Sequence, residues 1–370
     1  MKNQLLIVGQ TPPPWHGQAV ATKMLVDGEW AEWETNSVRM AFSDDLDSVG
    51  RFKIGKIFHL YSQICEIRSK LKSAPGTVLL YPPASASWLP FIRDVFILGM
   101  VRKHARGTAF IYHASGLAEY TQGSFLRKVL AKRVYGGADL ALEVAQEQIS
   151  PGEMFGAKAI TWCPCAAEVP PLTARETSTE KLSKVLFVGS LIEGKGIMEI
   201  LKTAAILKSR GETEICFEIV GRWASPVFEK HCLAFVEKAG IGKLVSFLGQ
   251  LTGNEKSSAF RRASLFFFPS HYSSEASPIV LMEALGFGLP VVSTHWAGIP
   301  ALVGKCSAVT LCPIREPEFF ADVILERLRD SSGNLEIRGV ARDFYDQRFA
   351  PEQFIGRVIE GLSRAGLKLQ

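Results

Sequence analysis

Two glutamates, Glu275 and Glu283, stand with seven residues between them in the run LFFFPSHYSSEASPIVLMEALGFGLPVVSTHWAGIPALV, residues 265–303. Between them lies Ser277-Pro278, a pair that starts helices. A helix N-terminus offers unpaired N–H groups and the positive end of its dipole, so it receives phosphate or pyrophosphate. Carboxylates beside it accept hydrogen bonds from ribose or sugar hydroxyls. The chemistry this pattern suggests is recognition of a nucleotide-linked sugar. The plainer alternative is two surface acids near a helix start, common in any α/β protein.

The elements that position these residues are legible nearby. Leu265 to Phe268 is a continuous apolar run, suited to a strand buried on both faces of a parallel sheet. Pro269 and Ser270 stop it. Ser277 is expected as the N-cap and Pro278 as the first helical residue, where its missing N–H costs nothing. The helix carries Ile279, Met282, Glu283 two turns in, and Leu285. It ends near Gly286 and Gly288, and Val291 opens the next strand. This is one βαβ unit.

Order and spacing over these residues resemble the E-x7-E region of retaining GT-B glycosyltransferases of family 4. That resemblance implies two Rossmann-like domains facing across an interdomain cleft, an α/β architecture. It implies sugar transfer from a nucleotide diphosphate sugar, UDP- or GDP-linked, with retention at the anomeric carbon and no other cofactor. Glu275 would then approach the donor sugar, Glu283 the ribose, and the helix start at Ser277 and Pro278 the diphosphate. No Asp-x-Asp or His cluster lies near these loops, so no metal is expected.

Other segments carry weaker parts of the same resemblance. PPPWHGQA (12–19) is similar to the family's first glycine loop, with His16 replacing the first glycine and Gly17 keeping the second. His113 ends the predicted strand TAFIYH, and HASG resembles the family's active-site histidine segment beside the donor sugar. After the predicted strand KVLFVG, the run SLIEGKG is similar to G-R-x-x-x-x-K-G, with Lys195 at the phosphate-binding lysine. Without that context Lys195 reads as an exposed loop lysine. Ser190 stands where the family has arginine. Losing one donor to a developing oxyanion costs about 3–4 kcal/mol in other sites. Arg222, which follows the predicted strand ICFEIVG, is the candidate substitute, set against a plain surface arginine such as Arg338. Leu251, after VSFLGQ, is where relatives meet the nucleobase through backbone groups.

The chain has 370 residues, 47% hydrophobic and 21% charged, enough for two domains with sizeable cores. A net charge of +5 favours anionic partners and is too scattered to argue for nucleic acid. Seven cysteines without a CxxC or Cys/His cluster argue against a disulfide framework and a zinc site, so a cytoplasmic setting is expected. LLIVG near the N-terminus is too short for a signal-peptide core, and the apolar run Val95–Val101 is far below membrane-spanning length. Any membrane contact must be peripheral, at an anionic inner surface.

Residues 51–72 form a basic amphipathic helix pattern, with Ile54, Ile57, Phe58, Tyr61, Ile64 and Ile67 in one stripe. It reads either as a core-facing helix or as a membrane-surface element. Proline and small residues at 160–171 mark the linker. The expected division is an acceptor domain over 1–168, a nucleotide-sugar domain over 169–348 and a returning helix over 349–370.

The acceptor is expected to be a cell-surface polysaccharide or a lipid-linked glycan. Three other functions compete. A glycoside hydrolase needs two facing carboxylates, and the helix between Glu275 and Glu283 disfavours that. An epimerase would need the GxGxxG fingerprint, which is missing. A catalytically weak or non-catalytic nucleotide-sugar-binding relative is supported by Ser190.

Overall fold

In a computed structural model, residues 3–13, 17–40, 55–113, 116–146, 149–171, 183–329 and 333–368 are described. The chain forms two compact units, Met1–Ala166 with Pro351–Gln370, and Ala167–Ala350.

The first unit runs β1 (Asn3–Gly9), α1 (Gly17–Asp27), β2 (Trp33–Arg39), α2 (Gly55–Ser73), β3 (Val78–Tyr81), α3 (Trp88–Val101), β4 (Gly107–Tyr112), α4 (Leu117–Gln122), α5 (Phe125–Tyr135), β5 (Leu140–Glu143), α6 (Pro151–Met154) and β6 (Ala159–Trp162). Its six strands lie in the order β2-β1-β3-β4-β5-β6, all parallel. The near-continuous burial of β1, β3 and β4 explains their unbroken apolar sequences, since helices cover both faces of such a sheet. The polar β2, WETNSVR, carries too little apolar signal to be read as a strand from sequence. Residues 160–162, the start of the expected linker, instead belong to the edge strand β6, paired with β5 from Leu140↔Ala159 onward.

The second unit runs β7 (Ser183–Val188), α7 (Ile197–Ser209), β8 (Ile215–Val220), α8 (Pro226–Ala239), β9 (Val245–Gly249), α9 (Gly253–Arg262), β10 (Leu265–Phe268), α10 (Ile279–Gly286), β11 (Val291–Thr294), α11 (Ile299–Val303), β12 (Val309–Cys312), α12 (Pro317–Arg329) and α13 (Gly333–Arg348). Its parallel order is β12-β11-β10-β7-β8-β9. Successive crossovers go one way from β7 to β9 and the other way from β10 to β12. The topological switch point therefore lies between β7 and β10. Phe266, Phe267 and Phe268 of β10 are all fully buried, with Phe268 stacked on Phe187 of β7 at 5.9 Å.

A last helix, α14 (Pro351–Arg364), belongs to the first unit. It lays Phe354, Val358 and Leu362 into the core against β5 and β6.

The helical layer of the first unit is tied together by one buried carboxylate. Asp94 of α3 accepts from Tyr81 Oη at 2.8 Å, Tyr135 Oη at 2.9 Å, the Ala84 amide at 2.7 Å and Arg93 Nη2 at 3.0 Å. Burial, reinforced by the Asp94 charge, pushes both tyrosine hydroxyls well above their usual range, so they remain donors. The sequence stripe of α2 divides here. Ile64, Ile67 and Leu71 enter the core, while Phe58 and Tyr61 face outward. Arg51, Lys53 and Ile54 of the expected helix lie outside the described residues, as does His16.

Asp94→Ala leaves two hydroxyls, an amide and a guanidinium without their acceptor. It is expected to lower the first unit's stability by about 3–5 kcal/mol, read from the urea midpoint. Asp94→Asn keeps one acceptor oxygen and should lose less. Equal midpoints for Asp94→Ala and the parent chain would remove Asp94 as the organising group.

Candidate functional site

The second unit assembles its site at the carboxyl ends of β7 and β10, the two strands flanking the switch point. In open parallel sheets this is where a crevice for ligands opens. Residues 193–195 form one 3-10 turn that ends at Gly196, whose φ is +79°. A Cβ there would come within 2.3 Å of the Pro269 carbonyl, so only glycine fits. The turn holds Lys195 so that Nζ lies 2.5 Å from Glu275 Oε2, and 5.2 Å from the ring centres of both Phe268 and Tyr272. Ser270 Oγ donates to the same carboxylate oxygen at 2.6 Å. Glu275 is only 6% exposed, so these two partners replace the water its carboxylate has lost.

The loop carrying Glu275 is fixed from the next strand as well. Ser293 Oγ donates to Phe268 O at 2.8 Å, Thr294 Oγ1 donates to Ser270 O, and Trp296 Nε1 donates to Tyr272 O at 2.9 Å. The Gly298 amide donates to Glu275 O at 2.9 Å, and a Cβ on Gly298 would meet Ala276 O at 2.0 Å. Four residues of VVSTHWAGIP, Ser293, Thr294, Trp296 and Gly298, thus grip the end of β10 and the loop that presents Glu275.

The helix start differs from the expectation. Pro278, not Ser277, occupies the cap position, and α10 begins at Ile279 without a side-chain cap hydrogen bond. Glu283 is consequently little more than one turn in. Its Oε1 accepts from Lys256 of α9 at 2.6 Å, while Oε2 is buried with no hydrogen-bond partner among the described residues. Burial raises the Glu283 carboxyl above its usual range, and Lys256 partly opposes that. Lys256 was missed in the sequence because it lies on a separate polar helix with nothing local to mark it. Ser270 was legible only as a strand stop.

Ser190, Arg222 and Leu251 follow β7, β8 and β9. The Gly189 amide donates to Val220 O at 3.0 Å, Leu191 to Arg222 O at 2.9 Å, and Gly221 to Gly249 O at 2.8 Å. Ser190 and Arg222 are therefore on neighbouring, hydrogen-bonded turns, both exposed; Leu251 is half-buried. Beside them Trp223 packs on Phe247 at 5.2 Å and Phe228 at 5.9 Å, an aromatic shelf that the sequence reading passed over. Arg338 is not a surface residue of the kind expected: its guanidinium donates to Ala263 O at 3.1 Å and Ser264 O at 3.3 Å.

The remaining candidates lie in the first unit. Gly17 opens α1 after β1. His113 follows β4 rather than ending it, is half-buried, and has Nδ1 3.6 Å from Cys165 Sγ. Gly17 and His113 thus sit at the carboxyl ends of strands separated by β3. Among the described residues no group of three or more His, Cys, Asp or Glu side chains could hold a metal ion, and no helix is long and apolar enough to cross a membrane.

With this geometry in hand, comparison with solved structures decides the architecture. Sucrose-phosphate synthase of Thermosynechococcus elongatus superposes with a TM-score of 0.69 at 16% identity, over 98% of this chain and all of that one. The fold is GT-B. Anabaena HepE, solved in complex with UDP, matches this GT-B chain with a TM-score of 0.69 at 15% identity, again over 98% of this chain and all of the other. Residues 171–342 match the family model "Glycosyl transferases group 1", a stretch containing Lys195, Glu275 and Glu283. The amylovoran biosynthesis glycosyltransferase AmsK of Erwinia amylovora is 31% identical over 160 residues, 42% of this GT-B chain and 37% of AmsK. The chain spans less than two-thirds of the length of these curated relatives, 37% of AmsK and 62% of the D-inositol 3-phosphate glycosyltransferase of Corynebacterium efficiens.

The raised Glu283 carboxyl sets a pH dependence. A carboxyl whose folded-state pKa lies above its unfolded value stabilises the fold below the unfolded pKa, and that contribution is lost as pH rises through the folded pKa. Urea midpoints should therefore fall across the upper carboxylate range as pH rises, and Glu283→Gln should flatten that part of the curve. An unchanged pH profile in the glutamine variant would show that another group causes the slope.

Proposed function

We propose that this protein is a retaining glycosyltransferase of family 4. It moves a sugar, without a metal ion, from a UDP- or GDP-linked donor to a glycan or lipid-linked acceptor in surface polysaccharide assembly, on the cytoplasmic side of a membrane. The observation that carries this is the joined Lys195–Glu275 pair at the switch point, inside the stretch matching glycosyl transferases group 1. The polysaccharide-synthesis name of AmsK supports the acceptor class, and UDP in HepE supports the nucleotide.

In this reading Lys195 and the start of α10 hold the diphosphate. As the bond from the anomeric carbon to the phosphate oxygen breaks, charge grows on that oxygen and Lys195 offsets it. Glu275 accepts from donor-sugar hydroxyls, and Ser270 keeps its carboxylate oriented. Glu283 has one oxygen tied to Lys256 and the other directed to ribose. His113 of the first unit keeps the role that the resemblance gives it, beside the donor sugar. Leu251 and its backbone meet the base, and Gly17 gives close backbone approach. Arg222 takes the place of the arginine that Ser190 lacks.

The deciding measurement is incubation of the purified chain with a panel of UDP- and GDP-sugars, with and without a lipid-linked acceptor pool. Release of nucleoside diphosphate from one donor, faster with acceptor and unaffected by EDTA, is the expected result. Retention is read from the anomeric configuration of the product by NMR. Binding of a donor with no release under any condition would favour a non-catalytic nucleotide-sugar binder, the second reading, for which Ser190 speaks. No donor bound at all would overturn both.

Arg222→Ala should lower turnover about 100-fold, with donor affinity falling less, whereas Arg364→Ala on the exposed face of α14 should change it less than about twofold. Equal small effects would remove Arg222 from the site.

A further inference from the structure

The large apolar side chains that the fold leaves exposed are not scattered. Among the described residues, eight of the thirteen belong to α2, α3 and α5, which lie side by side as one layer of the first unit, with α3 packed against both neighbours. The centre is α5, FLRKVLAKRVY. Its inward face is Ala131, Val134 and Tyr135, the last fastened to Asp94. Its outward face carries Phe125 at 85% exposure, Leu126 at 58% and Val129 at 48%. By helical angle Phe125 and Val129 occupy the middle of that face, with exposed Lys128 and Lys132 on one side and Arg133 on the other. Arg127 is folded back over the Tyr120 ring of α4, 4.3 Å from its centre. No acidic residue occurs in α5, and the short α4 beside it contributes Glu119 alone. Across the same layer Phe58 and Tyr61 of α2, and Trp88 and Phe96 of α3, are also exposed.

An apolar ridge with cations along both flanks matches one chemistry well. Acyl chains take the ridge, while lysine and arginine stems lie along the surface and put their charges at the level of anionic headgroups. A second copy of this chain fits poorly. A two-fold contact would set Lys128, Lys132 and Arg133 against their own copies, with like charges facing. We propose that α5, supported by the exposed aromatics of α2 and α3, is a docking surface for an anionic lipid bilayer. The sequence pointed to residues 51–72 for such contact. The structure buries Ile64 and Ile67 of that stripe, leaves Phe58 and Tyr61 outward, and adds α5 as the more exposed apolar face.

This surface is independent of the nucleotide-sugar reading and is tested separately. The full chain is floated with vesicles of phosphatidylcholine alone and with 30% phosphatidylglycerol, at low and high salt. Flotation with the anionic vesicles, weakened by salt, is expected. Lys128→Gln, Lys132→Gln and Arg133→Gln together should reduce partitioning about 100-fold, near fivefold for each cation. Phe125→Ser should reduce it at least tenfold on either vesicle. Both variants keep the parent circular-dichroism spectrum and melting temperature, because the altered side chains are exposed. No flotation with anionic vesicles, or flotation unchanged in both variants, overturns the proposal. So does a dimer in light scattering that Phe125→Ser dissociates, since the ridge would then be covered by a second copy.

Discussion

The salt bridge between Lys195 and Glu275 is the contact on which the second unit's site depends. Two residues far apart in sequence meet because β7 and β10 are adjacent only at the switch point, where the winding direction reverses. A carboxylate at 6% exposure needs hydrogen-bond partners in place of the water it has lost, and Lys195 with Ser270 supplies them. That requirement explains the neighbours. Gly196 allows the turn to press against Pro269, the two aromatic rings wall the ammonium, and the β11–α11 loop clamps the backbone of the partner. Remove the pairing and none of these features has a reason to be where it is.

Glu283 repeats the arrangement with a different balance. One oxygen is held by Lys256, and the other is buried without a donor among the described residues. Each of the two glutamates has thus been given one lysine from an element that follows or precedes a different strand. The site's fixed charges come as neutral pairs, which keeps the cost of holding them at a sheet end low. It also means that neither lysine stands as an uncommitted cation.

Strands buried on both faces were readable because their composition is extreme: LLIVG, VLFV and LFFF have few alternatives. The edge strands of the first sheet were not. WETNSVR in β2 and AITW in β6 are specified by pairing with β1 and β5, and no local pattern announces that. The same division holds for the site. Glu275, Glu283 and Lys195 were visible because glycines and prolines punctuate the turns that present them. Lys256 and Ser270 were invisible as site residues because their meaning lies in what they touch. Pro278 fell one position from the expected place, since a proline fits the cap geometry with φ near −67° as readily as the first helical turn. α5 escaped notice because its outward face interleaves basic and apolar residues, which lowers the apolar signal that a core-facing helix would give.

If the site takes a diphosphate, as proposed, the pairing of its charges shapes how. A diphosphate brings negative charge to a place where Lys195 already balances Glu275. Either Lys195 divides its ammonium hydrogens between carboxylate and phosphate, or positive potential must come from elsewhere. The start of α10 has no side-chain cap hydrogen bond, and of its first-turn amides Leu281 donates to Pro278 O at 3.1 Å, which leaves the positive end of the helix at Ile279 and Val280 to face a ligand. Arg222 offers a full charge on a turn hydrogen-bonded to the one bearing Ser190. A guanidinium on that adjacent turn has a longer reach than a serine hydroxyl, and it gives up less hydration than an ammonium on binding phosphate. The replacement of arginine by Ser190 therefore need not leave the phosphate unsupported, since support can come from β8 in place of β7. Such a shift moves the cation along the sheet edge toward the Trp223 shelf and away from Glu275, which separates the charge that binds the nucleotide from the charge that faces the sugar.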